Sequence, residues 1–150
     1  MKYSNGEVYK GSYKVGKRAG FGVGMLTTGA LYKGDWLDDL PHGNGTLFSG
    51  NGEIIEGRFE HGKLAANNKR IKALFTDGQY FEGAFLNHKR QGFGKNWYPN
   101  GDSYEGEWNG DKRVGRAKLR QADGLRYLGQ FLDDEADGGC QIEDEKGNIF

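Results

Sequence analysis

The sequence predicts an all-β fold: a single-layer, twisted antiparallel sheet of consecutive β-hairpins. Three observations predict it. Glycines at 11, 34, 57, 83, 106 and 129 recur at intervals of 23, 23, 26, 23 and 23 residues, each with an aromatic or large apolar residue two positions to either side. A second series, Gly6, Gly29, Gly52, Gly78, Gly101, Gly124 and Gly147, keeps the same beat. A third, the pairs Gly20/Gly22, Gly43/Gly45 and Gly92/Gly94, decays to Gly115/Ala117 and Gly138/Cys140 and is missing from the third repeat.

The repeats are 9–31, 32–54, 55–80 with a three-residue insertion, 81–103, 104–126 and 127–149, preceded by a partial repeat 1–8, all in one domain. Counting slots from the leading residue, slots 1 and 5 hold Tyr9, Tyr13, Tyr32, Trp36, Ile55, Phe59, Phe81, Phe85, Tyr104, Trp108, Tyr127 and Phe131. Even slots between them hold residues such as Glu82, Glu105 and Glu107, the period-2 alternation of a strand with one apolar face. A turn around slots 7 to 10 reverses the chain into a second strand carrying the Gly-x-Gly pair. Pairing slot 5 with 12, 3 with 14 and 1 with 16 would put the glycines beneath the rings, where any side chain would displace them.

Between repeats, Asn5-Gly6, Asn51-Gly52, Asp77-Gly78, Asn100-Gly101 and Asp123-Gly124 read as tight type I′ turns, with Thr28-Gly29 and Lys146-Gly147 in the same place. Every connection is then short and antiparallel. At ~4.8 Å per strand and two strands per repeat, six repeats make a rod of about 60 Å. The insertion, between Lys63 and Lys72, predicts a longer hairpin loop and a break in curvature near Asn67 and Asn68.

These residues resemble the MORN repeat, whose pattern is roughly Tyr-x-Gly-x-Trp, a short turn, Gly-x-Gly, then Asp/Asn-Gly, and the resemblance covers essentially the whole chain. It implies a MORN repeat solenoid acting as an interaction scaffold, in an intracellular, cytoplasmic setting associated with cytoskeleton, cilium or membrane junction. It also implies that catalysis, where the family has any, sits in an appended domain such as a lipid kinase or a lysine methyltransferase.

Composition narrows function further. With 35% hydrophobic residues in 150, the chain lacks the means for a thick two-layer core, whereas a solenoid packs each repeat on its neighbour. The 21 basic and 21 acidic residues cancel, so no overall attraction to nucleic acid or membrane follows. No apolar run has the length of a signal or membrane-spanning segment. One cysteine, Cys140, leaves no internal disulfide. No nucleophile–base pair, metal spacing or phosphate loop is present; Gly20-Phe-Gly22-Val-Gly24 belongs to the 23-residue beat.

Candidate sites fall into three groups. The slot 1 and slot 5 aromatics read either as packing of repeat on repeat alone or as packing that also lines a groove left open. On the opposite face, slot 17 reads Met25, Phe48, Leu74 and Trp97 before turning to Arg120 and Glu143, with Phe21, Phe93, Val23, Leu37 and Leu86 nearby. Such a stripe reads either as surface partly covered by sheet twist and lysine stems or as a docking surface for a partner helix or a second protomer, with Trp97 the expected hot spot; a register shift of one would swap the faces. The pairs Lys17-Arg18, Lys89-Arg90 and Lys112-Arg113 read either as solvated turn tips or as contacts to an anionic lipid or acidic partner.

No cofactor, metal or nucleic acid is implied. Asp133-x-Glu135-x-Asp137-Gly138 with Asp144 only loosely echoes a calcium loop, and its glycine is already demanded by the repeat. His42, His61 and His88, in successive repeats, would lie about 10 Å apart, too far to share a metal. Asn44-Gly-Thr46 is formally a glycosylation sequon. Open edges at Met1–Tyr3 and Cys140–Phe150 predict end-to-end or antiparallel dimers, blunted by Glu143-Asp144-Glu145.

Overall fold

The computed structural model describes residues 8–150, which form one sheet of thirteen antiparallel strands without a helix. The strands are β1 (Tyr9–Lys14), β2 (Lys17–Met25), β3 (Leu31–Leu37), β4 (Leu40–Phe48), β5 (Ile54–Glu60), β6 (Lys63–Leu64), β7 (Asn67–Leu74), β8 (Tyr80–Leu86), β9 (Lys89–Trp97), β10 (Ser103–Asn109), β11 (Lys112–Arg120), β12 (Arg126–Leu132) and β13 (Glu135–Glu143). Each pairs with the next in sequence, except that β6 pairs only with β5. The expected meander of hairpins is the observed fold. The expected turns Asn5-Gly6 and edge Met1–Tyr3 lie outside the described residues.

The type I′ turns lie within the repeats, not between them as expected. The six turns within repeats, Val15-Gly16, Asp38-Asp39, His61-Gly62, Asn87-His88, Gly110-Asp111 and Asp133-Asp134, have positive φ at both residues, the type I′ signature of a two-residue hairpin. All nine non-glycine residues with positive φ among those described lie in them. The Asn-Gly and Asp-Gly connections between repeats are three-residue loops: Gly52 N–H donates to Ser49 O and Ser49 N–H to Glu53 O, a type I turn closed by a left-handed glycine. The preceding Asn or Asp stays on the negative-φ side and accepts from two residues on, as Asn51 does from Glu53 N–H.

The register within hairpins also departs from expectation. Slot 3 pairs with slot 14 and slot 1 with slot 16, as in Gly11↔Gly22 and Tyr9↔Gly24, but slot 5 pairs with slot 10, as in Tyr13↔Arg18. The slot 12 glycine is instead the bulged residue that absorbs the mismatch, with φ of 74° at Gly20 and 98° at Gly92. It then pairs with slot 5 of the next repeat, Gly20↔Trp36 and Gly92↔Trp108.

One face of the sheet, the front, is the core. A Cβ at Gly22, Gly45 or Gly94 would overlap the rings of Tyr9, Tyr32 or Phe81, so slot 14 is glycine because a ring lies flat on it. The rings zip along the sheet edge-to-face: Tyr9–Trp36, Trp36–Tyr32 and Tyr32–Phe59 have centroids 5.2, 5.3 and 5.0 Å apart. A second run joins Phe81, Trp108, Tyr104 and Phe131 at 5.7, 5.0 and 5.2 Å. Such pairs contribute about 0.5–1.5 kcal/mol each beyond their burial.

The third repeat separates the two runs. Its turn, His61-Gly62, is as tight as the others, so the expected long hairpin loop does not form. The insertion is absorbed after the turn, where the strand splits into β6 and β7 and the register shifts between Asn68 and Ile71. The Asn68 side chain, 5% exposed, bridges the break: its amide accepts from Arg58 N–H at 2.9 Å and donates to Ala65 O at 2.7 Å and Arg58 O at 3.3 Å. Ile71 takes the slot 14 position, its methyl against Gly57, in the volume a slot 1 ring would fill had Ile55 been tyrosine.

Candidate partner-binding face

Most of the front face is filled by its own rings. Tyr32, Phe81 and Tyr104 are fully buried, and Trp36 and Trp108 are 2% exposed. Trp36 and Trp108 each donate Nε1–H to the slot 14 carbonyl of the preceding repeat, Gly22 O at 3.0 Å and Gly94 O at 3.1 Å. Burial pushes the Tyr32 and Tyr104 hydroxyls up to about 12, with Asp35 adding to the rise at Tyr32. The buried slot 1 and slot 5 aromatics therefore serve packing, whereas Tyr13, at the start of the run, is 41% exposed.

The basic pairs are not turn-tip clusters. In each pair the arginine is at slot 10 on the front face, and only Lys17, Lys89 and Lys112 project outward. Arg90 stacks over the Trp108 ring at 4.2 Å, and its backbone N–H and Nε both donate to Asp111 Oδ1 at 2.9 Å. Asp111 N–H donates back to Arg90 O. Arg18 with Asp39 and Arg113 with Asp134 repeat this clamp, each arginine 21 residues before its aspartate. Asp134, in the loosely calcium-like stretch, is thereby taken by Arg113.

The back face carries the apolar residues expected of it. Phe21 and Phe93 are 58% and 57% exposed, Met25, Phe48 and Leu74 close to 40%, and Trp97 is half-buried against Tyr80, with ring centroids 5.4 Å apart. The register completes the stripe: Met25↔Leu31↔Phe48↔Ile54↔Leu74↔Tyr80↔Trp97 forms a row across seven adjacent strands, β2 to β9 by way of β7. Beyond Trp97 the row turns polar, through Ser103, Arg120, Arg126 and Glu143.

A second row beside it went unread in the sequence. Glu56↔Lys72↔Glu82↔Lys95↔Glu105↔Lys118 alternate in sign over six strands. Slots 2 and 15 hold these residues in the third to fifth repeats, so the signal was present once the hairpin register was known. Opposite charges facing across strands add about 0.2–1 kcal/mol per pair and pin the register.

Two histidines lie closer than expected. His42 and His61 have ring centroids 5.1 Å apart, and His61 N–H donates to His42 Nδ1 at 3.2 Å. The second strand of one repeat pairs directly with the first of the next, which removes the expected separation. Among the described residues no group of three metal-ligating side chains converges. The C-terminal edge is partly covered by its own tail, since Glu143 bridges Ile149 and Phe150 N–H donates to Ile142 O at 2.8 Å.

A single antiparallel sheet of hairpins whose rings rest on facing glycines defines a β repeat protein. The MORN repeat model matches residues 32–54, 81–103 and 104–126, so the chain carries MORN repeats at these three positions. A similar protein is rat (Rattus norvegicus) Alsin, 28% identical over 105 residues, which cover 63% of this chain and only 6% of Alsin. Two solved structures are similar at low levels. The SAS-4 (dCPAP) TCP domain of Drosophila melanogaster, in complex with a proline-rich motif of Ana2 (dSTIL), is 17% identical with a TM-score of 0.47, over 93% of this chain and 86% of that one. A mutant TCP10 domain of Danio rerio CPAP is 14% identical with a TM-score of 0.23, over 100% and 95%. Among the described residues no helix is long and apolar enough to cross a membrane.

Proposed function

We propose that this chain is a non-catalytic protein-interaction scaffold that seats a partner helix or a second protomer on its back face. The observation that carries this reading is the apolar row from Met25 to Trp97, in which Met25, Phe48 and Leu74 are exposed and Trp97 half-buried, and which remains after the front face has taken up most of the repeat aromatics. Six steps of ~4.8 Å make it about 29 Å long. That is the length of a helix of ~20 residues at 1.5 Å rise. The anionic-lipid alternative loses its arginines to the aspartate clamps and retains only Lys17, Lys89 and Lys112. The family resemblance extends the proposal to a cytoskeleton- or cilium-associated place in the cell.

The test compares immobilised wild type with Trp97→Ala. A stoichiometric protein partner identified by mass spectrometry should be captured by the first and weakened by more than about 2 kcal/mol with the second, at unchanged melting temperature. Binding to phosphoinositide liposomes that needs Lys17, Lys89 and Lys112 but ignores Trp97→Ala would overturn the reading.

A further inference from the structure

A groove of about 1440 Å³ is sunk into the back face between β2 and β9. Its charged lining is Lys33, Arg58, Lys69, Arg70 and Lys72 against Glu56 and Glu82, a surplus of three positive charges on a chain whose total is zero. Lys69 and Arg70 come from the third-repeat bulge, between Asn68 and Ile71. Arg58 is paired with Glu60 at 2.7 Å, while among the described residues Lys33, Lys69, Arg70 and Lys72 enter no ion pair. Phe21, Phe48 and Phe93 stand exposed in the same lining.

We propose that this groove takes an acidic segment of a partner protein whose aromatic or aliphatic side chains enter among Phe21, Phe48 and Phe93. The proposal rests on the back-face docking reading and names the partner's chemistry. Charge complementarity selects the occupant: among the described residues Lys33, Lys69 and Arg70 have no carboxylate paired with them, and carboxylates presented beside apolar anchors satisfy both features of the lining. A bilayer is too flat to reach the floor of a concave site. An unbroken line of phosphates would meet Glu56 and Glu82, which alternate with Lys72 in one row.

The experiment selects a random peptide library displayed on phage against the immobilised chain. Enriched peptides should combine Asp or Glu with Phe, Trp or Leu. A synthetic copy of the strongest should bind Lys69→Glu/Arg70→Glu roughly tenfold or more weakly, with a further loss as salt rises, and Lys89→Glu/Lys112→Glu as well as wild type. These sites are exposed, and unchanged melting temperatures confirm that each variant folds. Absence of enrichment, neutral or basic enriched peptides, or displacement by phosphatidylserine vesicles or a single-stranded oligonucleotide in preference to the peptide would overturn the proposal. If Phe93→Ser and Trp97→Ala weaken the peptide while Lys69→Glu/Arg70→Glu does not, the docking face stands and its acidic preference falls. If none of these matters, both fall.

Discussion

The third and fourth repeats occupy neighbouring places in one sheet and hold it together with different residues. In the fourth, Phe81 lies on Gly83 and Gly94, and Arg90 stacks on Trp108 while gripping Asp111. In the third, Ile55 and Ile71 share the volume of one ring, and Asn68 replaces main-chain pairing across the break. The aromatic zipper is interrupted there, and the described core divides into two clusters that meet only at Leu64. The repeat thus constrains volume and hydrogen bonding more tightly than residue identity. The departure also creates something new, because the bulge that needs Asn68 puts Lys69 and Arg70 on the back face.

The sharpest break of this comparison is Ile71→Gly, which makes the third repeat resemble the others at slot 14 without the ring to match. A loss of about 2–5 kcal/mol is expected in denaturant unfolding, and adding Ile55→Tyr should recover much of it. Additive losses would refute the shared volume. Next comes Asn68→Ala, which strands Arg58 N–H and Ala65 O at the break; a cost of about 1–3 kcal/mol is expected, with hydrogen exchange accelerating first around β5 and β7.

In the regular repeats, Arg90→Met should cost about 1–2 kcal/mol through its lost contact with Trp108 and its bonds to Asp111. A double-mutant cycle with Asp111→Ala then isolates the ion-pair share, expected to be below about 1 kcal/mol because the aspartate is 47% exposed. Titration sharpens the contrast from the other side. Tyr32 and Tyr104 have folded pKa values near 12, above the ordinary 10.0, so their contribution is complete below pH 10 and is lost as the pH rises towards 12. Tyr104→Phe should shift the alkaline unfolding midpoint upward, followed by circular dichroism, because one hydroxyl no longer has to ionise. The smallest effect belongs to the projecting lysines: Lys89→Ala and Lys112→Ala should change stability by less than about 0.5 kcal/mol.

Much of the fold was legible because glycine spacing and period-2 alternation are local and repeat six times. The slot holding Met25, Phe48, Leu74 and Trp97 was legible for the same reason, read down successive repeats, while Leu31, Ile54 and Tyr80 joined it only through the strand register. The Arg–Asp clamps were not, although their 21-residue spacing recurs three times, because a basic pair beside a turn looks solvated until slot 10 is known to face the core. The turns between repeats were misread as type I′ because Asn-Gly is favourable both there and in a three-residue loop ending in a left-handed glycine.

By itself the sequence determined the meander of hairpins and the apolar slot that recurs from Met25 to Trp97, since each follows from short-range spacing; the face each occupies waited on the hairpin register. Only the tertiary structure decided which charges are free. Arg18, Arg90 and Arg113 are drawn into the sheet because a guanidinium gains both a ring and a carboxylate there, whereas Lys69 and Arg70 are pushed out by a bulge whose inner place is taken by Ile71 and Asn68. Those balances depend on which strands become neighbours, and no single repeat contains that information.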